Sequence, residues 1–206
     1  GEDVAQDFAQ AAAWYAKAAE QGNAKAQLNL GILYDHGEGV AQSYEQAAGW
    51  YRKAALQGLA EAQYNLGALF ERGLGVPQDY SQAADLYRRA AEQGYAAAEF
   101  NLGLLYDNGE GVERDLAQAA AWYNKAAEQG LPRAQFNLGS MYAGGQGVPL
   151  NYAEAYFWLD LAANTWSGTR QQQAVKARDQ VAARLSTAEL FKAQQRSSRW
   201  LAEHQK

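Results

Sequence analysis

At 206 residues, with 48% hydrophobic residues and only 3 prolines, the chain has room for one large domain or an extended array and is too apolar to be disordered. Its net charge of −5 excludes nucleic acid as the main partner, since phosphate binding needs a dense basic surface. The absence of cysteine excludes disulfides and thiolate metal sites, and no apolar run approaches the ~18 residues that cross a bilayer as a helix.

The chain opens on GEDVAQDF (1–8), which aligns at an offset of 36 with GEGVAQSY (37–44). It therefore starts inside a repeat, in a loop just ahead of that repeat's second helix, and without an initiating Met. The expectation is a fragment or processed form, with an N-terminal signal or lipid anchor removed and a periplasmic or otherwise exported destination.

Four stretches then stack on one another: NLGILYDHGEGV (29–40), NLGALFERGLGV (65–76), NLGLLYDNGEGV (101–112) and NLGSMYAGGQGV (137–148). Each begins 36 residues after the last, and Gly22, Gly58, Gly94 and Gly130 keep the same spacing. Self-similarity at this period means a solenoid. In the third copy, Ala98, Leu102, Gly103 and Tyr106 share one helical face, predicting a helix over about 95–107. After the glycine loop, Ala119, Trp122, Tyr123, Ala126 and Ala127 mark a second helix that Gly130 ends. Each repeat is thus a helix pair, here termed A and B. One pair alone buries too little apolar surface, so stability comes from stacking neighbours.

The pattern resembles the Sel-one-like repeat family of bacterial proteins, relatives of the tetratricopeptide repeats. The resemblance rests on the A helix A-x-x-x-L-G-x-x-Y/F (Ala26, Leu30, Gly31, Tyr34 and equivalents), the loop G-x-G-V (Gly37, Gly39, Val40 and equivalents) and the B helix A-A-x-W/L-Y-x-x-A-A. It covers residues 1–167, the repeat array of a single domain. It implies an all-α fold, a right-handed α-α superhelical solenoid closed by a C-terminal two-helix cap. It also implies a non-catalytic protein-binding scaffold. Family members serve as adaptors in envelope assembly, secretion and signalling, and as immunity proteins against toxic effectors, including type VI secretion phospholipases.

Residues 151–166 still follow the B-helix pattern, and the period then breaks. Residues 168–206 are read as two non-repeat helices, about 170–185 and 187–204, the second opening on the capping-box pair Ser186 and Glu189. Val181, Leu185, Leu190, Phe191 and Trp200 are expected to cover the last repeat. Charge divides at the same place: net −10 before residue 168 and +5 after it. The basic tail reads either as a solvated cap face or as a surface for peripheral membrane contact, through Arg170, Lys176, Arg178, Arg184, Lys192, Arg196 and Arg199.

The glycine loops lack a following GK[ST] and recur four times with changing neighbours, so Gly37, Gly73, Gly109 and Gly145 read as helix ends rather than phosphate cradles. Only His36 and His204 are present, and nothing points to catalysis, a metal or a cofactor. The variable A-helix positions are the candidate site, on an expected concave face. One stripe is Leu28, Tyr64, Phe100 and Phe136, read either as inter-repeat packing or as anchors for a partner. A second is Asn29, Asn65, Asn101 and Asn137. In peptide-binding tetratricopeptide relatives an Asn at the matching position bonds an extended ligand's backbone; a structural bond in every repeat is the other reading. The third is Asp35, Glu71 and Asp107, ending at Ala143, which is either solvated surface or a row that steers a basic partner segment. Arg72, Leu104, Asn108 and Arg133 complete the face. The expected partner is a protein, held by a monomer: an effector, or an envelope or secretion component.

Overall fold

A computed structural model describes residues 7–204, so all but the last two residues of the GEDVAQDF opening lie outside the described residues. Among the described residues every regular element is a helix. The A helices are α2 (Ala24–His36), α4 (Ala60–Arg72), α6 (Ala96–Asn108) and α8 (Pro132–Gly144). The B helices are α1 (Phe8–Glu20), α3 (Tyr44–Leu56), α5 (Tyr80–Ala91), α7 (Leu116–Glu128) and α9 (Tyr152–Thr165), and α10 (Gly168–Ala182) and α11 (Thr187–His204) follow. The chain divides into two compact units. Unit 1 runs to Ala98 and adds Glu110–Val112; unit 2 holds Glu99–Gly109 and the chain from Glu113 onward.

Local chemistry sets each boundary. B helices start on a polar cap: the side chains of Asp7, Ser43, Asp79, Asp115 and Asn151 each accept a backbone N–H of the first turn. The loop's two glycines have different tasks. Gly37, Gly73 and Gly145 close A helices with a left-handed backbone. The second glycine joins neighbouring pairs: a Cβ on Gly147 would stand 2.2 Å from the Leu116 carbonyl at the start of α7, and Gly75 meets Tyr44 of α3 in the same way.

Within a pair, close approach depends on the glycine of the NLG triplet. A Cβ on Gly31 would lie 2.6 Å from the Tyr51 ring, and one on Gly103 2.7 Å from that of Tyr123. Both tyrosines are fully buried, and small alanines (Ala126, Ala127, Ala134) surround Tyr123 in the unit 2 core.

The cap differs from expectation in two respects. First, α10 is not foreign to the repeat. Buried Gln27, Gln63 and Gln135 each donate an Nε2 hydrogen bond to the carbonyl eight residues back, at Ala19, Ala55 and Ala127. Gln171, one period after Gln135, does the same to Ala163, so α10 packs on α9 as a degenerate A helix. Second, Phe191 is 58% exposed and covers nothing, because its turn of α11 faces outward. Val181, Leu185 and Leu190 do close the cluster around Leu159, and Trp200 packs on that around Phe157. The capping box forms as read: Ser186 N–H donates to Glu189 Oε2 at 2.9 Å and Glu189 N–H to Ser186 Oγ at 3.3 Å.

Candidate functional site

The first stripe of the A-helix face belongs mostly to the core. Leu28 and Phe100 are 5% and 8% exposed, which corrects their placement on an accessible face. The cause is the tyrosine of the following B helix. Phe100 packs on Tyr123 with ring centroids 5.6 Å apart, and half-buried Tyr64 packs on Tyr87 at the same distance and interplanar angle. Tyr64 also meets Tyr95 at 5.2 Å, and Phe136 meets Trp166 at 5.5 Å. Tyr64 and Phe100 are therefore lids on buried tyrosines, whereas Phe136, with Leu159 in the tyrosine's place, covers Trp166 instead.

The acidic row has a structural task that neither sequence reading foresaw. The Tyr51 hydroxyl donates to Asp35 Oδ2 at 3.1 Å, Tyr87 to Glu71 Oε2 at 2.5 Å and Tyr123 to Asp107 Oδ2 at 3.3 Å, so each acid ties its A helix to its B helix. Burial, and after it the nearby Asp35 charge, push the Tyr51 hydroxyl well above the usual phenol range. Burial likewise raises Tyr123, offset in part by its contact with Asn137. The sequence carried a signal: where the acid becomes Ala143, the tyrosine becomes Leu159, and both partners vanish together. The half-exposed acids still leave negative charge at the surface.

The Asn row stays closest to a binding surface. Asn29, Asn65 and Asn101 are half-buried on consecutive A helices, and their side-chain amides make no hydrogen bond among the described residues. Asn137 differs by facing the Tyr123 hydroxyl. Arg72, Asn108 and Arg133 are exposed, and Leu104 packs at the edge of the unit 2 core. In unit 2 the face deepens into a hollow of about 640 Å³ beside Ala143, Tyr152, Leu159 and Arg184, in the space freed by the missing acid–tyrosine pair. Among the described residues no group of three His, Asp or Glu is placed to hold a metal ion, and no helix is long and apolar enough to cross a membrane.

The B helices carry a second series that the sequence reading passed over. Lys17, Lys53 and Lys125 lie over the rings of Trp14, Trp50 and Trp122, at 4.9, 3.8 and 3.9 Å from the centroids. The W-x-x-K spacing was visible in three repeats. The basic tail is partly spent on the fold. Arg178 pairs with Asp160 and Asp179, and Arg196 with Glu154, so these two cations hold helices together as well as colouring a surface.

Comparisons with known proteins agree with this architecture. The Sel1 repeat family model matches residues 1–23, 24–59, 60–95, 96–131 and 132–164. The structure is similar to a protective antigen of uropathogenic Escherichia coli strains with an SLR fold, at 41% identity and a TM-score of 0.83, over 94% of this chain and 41% of that one. The chain thus spans less than half the length of that antigen. It is also similar to a Sel1 repeat protein from Oxalobacter formigenes, at 40% identity and a TM-score of 0.77, over 82% of this chain and 70% of that one. An immunity protein of Pseudomonas aeruginosa shares the fold at 22% identity and a TM-score of 0.50, over 87% of this chain and 76% of that one. No curated protein sequence matches the chain significantly.

Proposed function

The chain belongs to the Sel1 repeat family, and from that premise we propose that it is a non-catalytic scaffold that grips a protein partner along its A helices. The observation that carries this reading is the pair Asn29 and Asn65 of unit 1: amides one repeat apart, half-buried and without a side-chain partner among the described residues. An amide both donates and accepts, so such a pair suits the backbone of an extended segment. The acids beside it favour a basic segment and speed encounter.

Within that class the proposed role is immunity: capture and occlusion of a secreted toxic effector such as a type VI secretion phospholipase, in the periplasm or another exported location. An acidic, cysteine-free array suits one-to-one capture of a secreted protein, and the Pseudomonas aeruginosa immunity protein has the same fold. An adaptor in envelope assembly, secretion or signalling is the second reading, supported by the same surface.

The test is capture from the native bacterium by the wild type and by Asn29→Ala with Asn65→Ala. The expected result is at least a tenfold loss of partner, about 1.4 kcal/mol, with an unchanged melting curve. A toxic phospholipase as the captured protein, with growth restored by co-expression, supports immunity, and an assembly component supports the adaptor. Capture indifferent to both substitutions removes the A-helix face from the reading.

A further inference from the structure

In unit 2, α11 shows how the B-helix side of this fold receives a helix. It lies against α7 and α9, with Trp200 beside Gly130 at the end of α7 and packed on the cluster that holds Ala126, Ala127 and Trp158. One turn earlier Arg196 pairs with Glu154 at 2.5 Å and stacks on the Phe157 ring at 3.8 Å. The seat is an apolar floor that takes an aromatic anchor, with a rim charge that meets the opposite charge one turn before it.

Unit 1 repeats this seat two repeats earlier, between α3 and α5, where an open cavity of about 240 Å³ remains. Leu66, Phe70 and Leu86 form its floor, and Leu56 stands 78% exposed at its edge. Two replacements shape it, one making the edge apolar and the other opening space over the floor. Leu56 occupies the position of Glu20, Glu92 and Glu128, and Leu86 that of Trp14, Trp50, Trp122 and Trp158. The rim charge is reversed. Arg52 and Arg89 flank the cavity where unit 2 has Asn124 and Leu161, Gln82 stands in place of Glu154 and Asp85 in place of Phe157, so these four positions go from one net negative charge to one net positive charge. Arg89 holds the position of the lysines that lie on tryptophan rings, but Leu86 offers it no ring. Among the described residues neither Arg52 nor Arg89 has an ion pair, and the acid at the rim, Asp85, is taken by Arg88 at 2.6 Å.

We infer that the α3–α5 furrow is a docking seat for an amphipathic helix of a partner protein, one that presents an aromatic anchor with an acidic residue one turn before it. The cavity is smaller than the roughly 300–1,000 Å³ of small-molecule sites and suits a single side chain. A second copy's α11 does not fit, since Arg196 and Arg199 would enter a rim of net positive charge, in which Arg52 and Arg89 outweigh Asp85. The inference rests on the protein-binding reading and adds a contact on the B helices.

The test uses the full chain and a labelled, helix-stapled peptide of the α11 sequence, Thr187–His204, carrying Arg196→Glu and Arg199→Glu, followed by fluorescence anisotropy. The altered peptide is expected to bind saturably and about tenfold tighter than the unaltered one. Leu56→Glu in the protein weakens it several-fold. Arg52→Glu with Arg89→Glu reverses the preference, so that the unaltered peptide now binds better. All three positions are exposed, so the variants keep the fold, which a melting curve checks. The seat is overturned if the two peptides bind alike, if neither binds at millimolar concentration, or if the preference survives the charge reversal. A native partner lost on Asn29→Ala with Asn65→Ala, but indifferent to Arg52→Glu with Arg89→Glu, overturns the seat and leaves the scaffold reading standing. Reversed peptide preference with no partner held by the A helices supports the seat and removes the A-helix reading.

Discussion

Glu99 is where one side chain most plainly works against its surroundings. The first, second and fourth repeats place glutamine at this buried position, and Glu99 replaces it in the third at 3% exposure. It accepts a hydrogen bond from Gln129 Nε2 at 2.7 Å, but when ionised it has no proton with which to make the donation that Gln27, Gln63 and Gln135 make. Burial raises its pKa above the usual Glu range, and the Gln129 bond offsets only part of that. The sign of the pH effect follows. In the unfolded chain Glu99 loses its proton near the ordinary value, whereas the fold retains it to higher pH, so folding stability falls as pH rises through that window. Glu99→Gln should therefore raise stability at pH 7 by about 1 kcal/mol. Its advantage should shrink towards zero below the ordinary Glu value, where both side chains are neutral. Thermal melts of the two proteins from pH 3.5 to 8 test this; parallel curves would show that the carboxylate costs nothing.

At the scale of the helix pair, the glutamine just after each of three B helices is stitched to the start of its A helix, 30 residues earlier. Gln57 donates to Gln27 Oε1 at 2.8 Å, Gln93 to Gln63 Oε1 at 2.9 Å, and Gln129 to Glu99. In the last repeat the donor position holds Thr165, which bonds back to Leu161, and Gln135 Oε1 is left buried without a partner. Thr165→Gln should supply the missing donor and stabilise the protein by about 1 kcal/mol, a rise in Tm of roughly 2–4 °C. An unchanged Tm, or a gain that persists when Gln135→Leu removes the acceptor, would count against the stitch. The helix pairs themselves were legible, because alternating A and B faces and loop glycines recur at 36 residues. The direction of the aromatic stripe was not. Phe100 and Tyr64 occupy positions that helical spacing alone allows to point outward, and only the tyrosine of the next helix, brought near by Gly103 or Gly67, decides that they turn in. The Asp–Tyr ties could have been found from the paired loss of acid and tyrosine at Ala143 and Leu159. The α11 seat could not, because it depends on how a non-repeat helix folds back.

For the molecule as a whole, the question is what ends the array, since a stack of helix pairs has an apolar face left over at its last member. Asp160 carries that burden in unit 2. Nearly buried on α9, it accepts a hydrogen bond from Ser197 Oγ of α11 at 2.6 Å through one oxygen and pairs with Arg178 of α10 at 3.1 Å through the other. One carboxylate thereby fixes both terminal helices. Removing it leaves Ser197, which is fully buried, with only the Gln194 carbonyl at 3.1 Å as acceptor, and leaves Arg178 with Asp179 alone. Breaking a buried pair from one side costs roughly 3–5 kcal/mol, and the surviving Asp179 contact places Asp160→Ala near the lower end. Ser197→Ala, which removes only a bond to a charged group, should cost about 2 kcal/mol. Because each repeat draws its stability from its neighbours, the loss should be local. Hydrogen exchange of Asp160→Ala should show α10 and α11 opening first, α9 losing protection next, and α2 to α5 of unit 1 retaining theirs. Uniform loss of protection across both units would mean that the chain unfolds as one cooperative body, with Asp160 contributing to the whole instead of to its end.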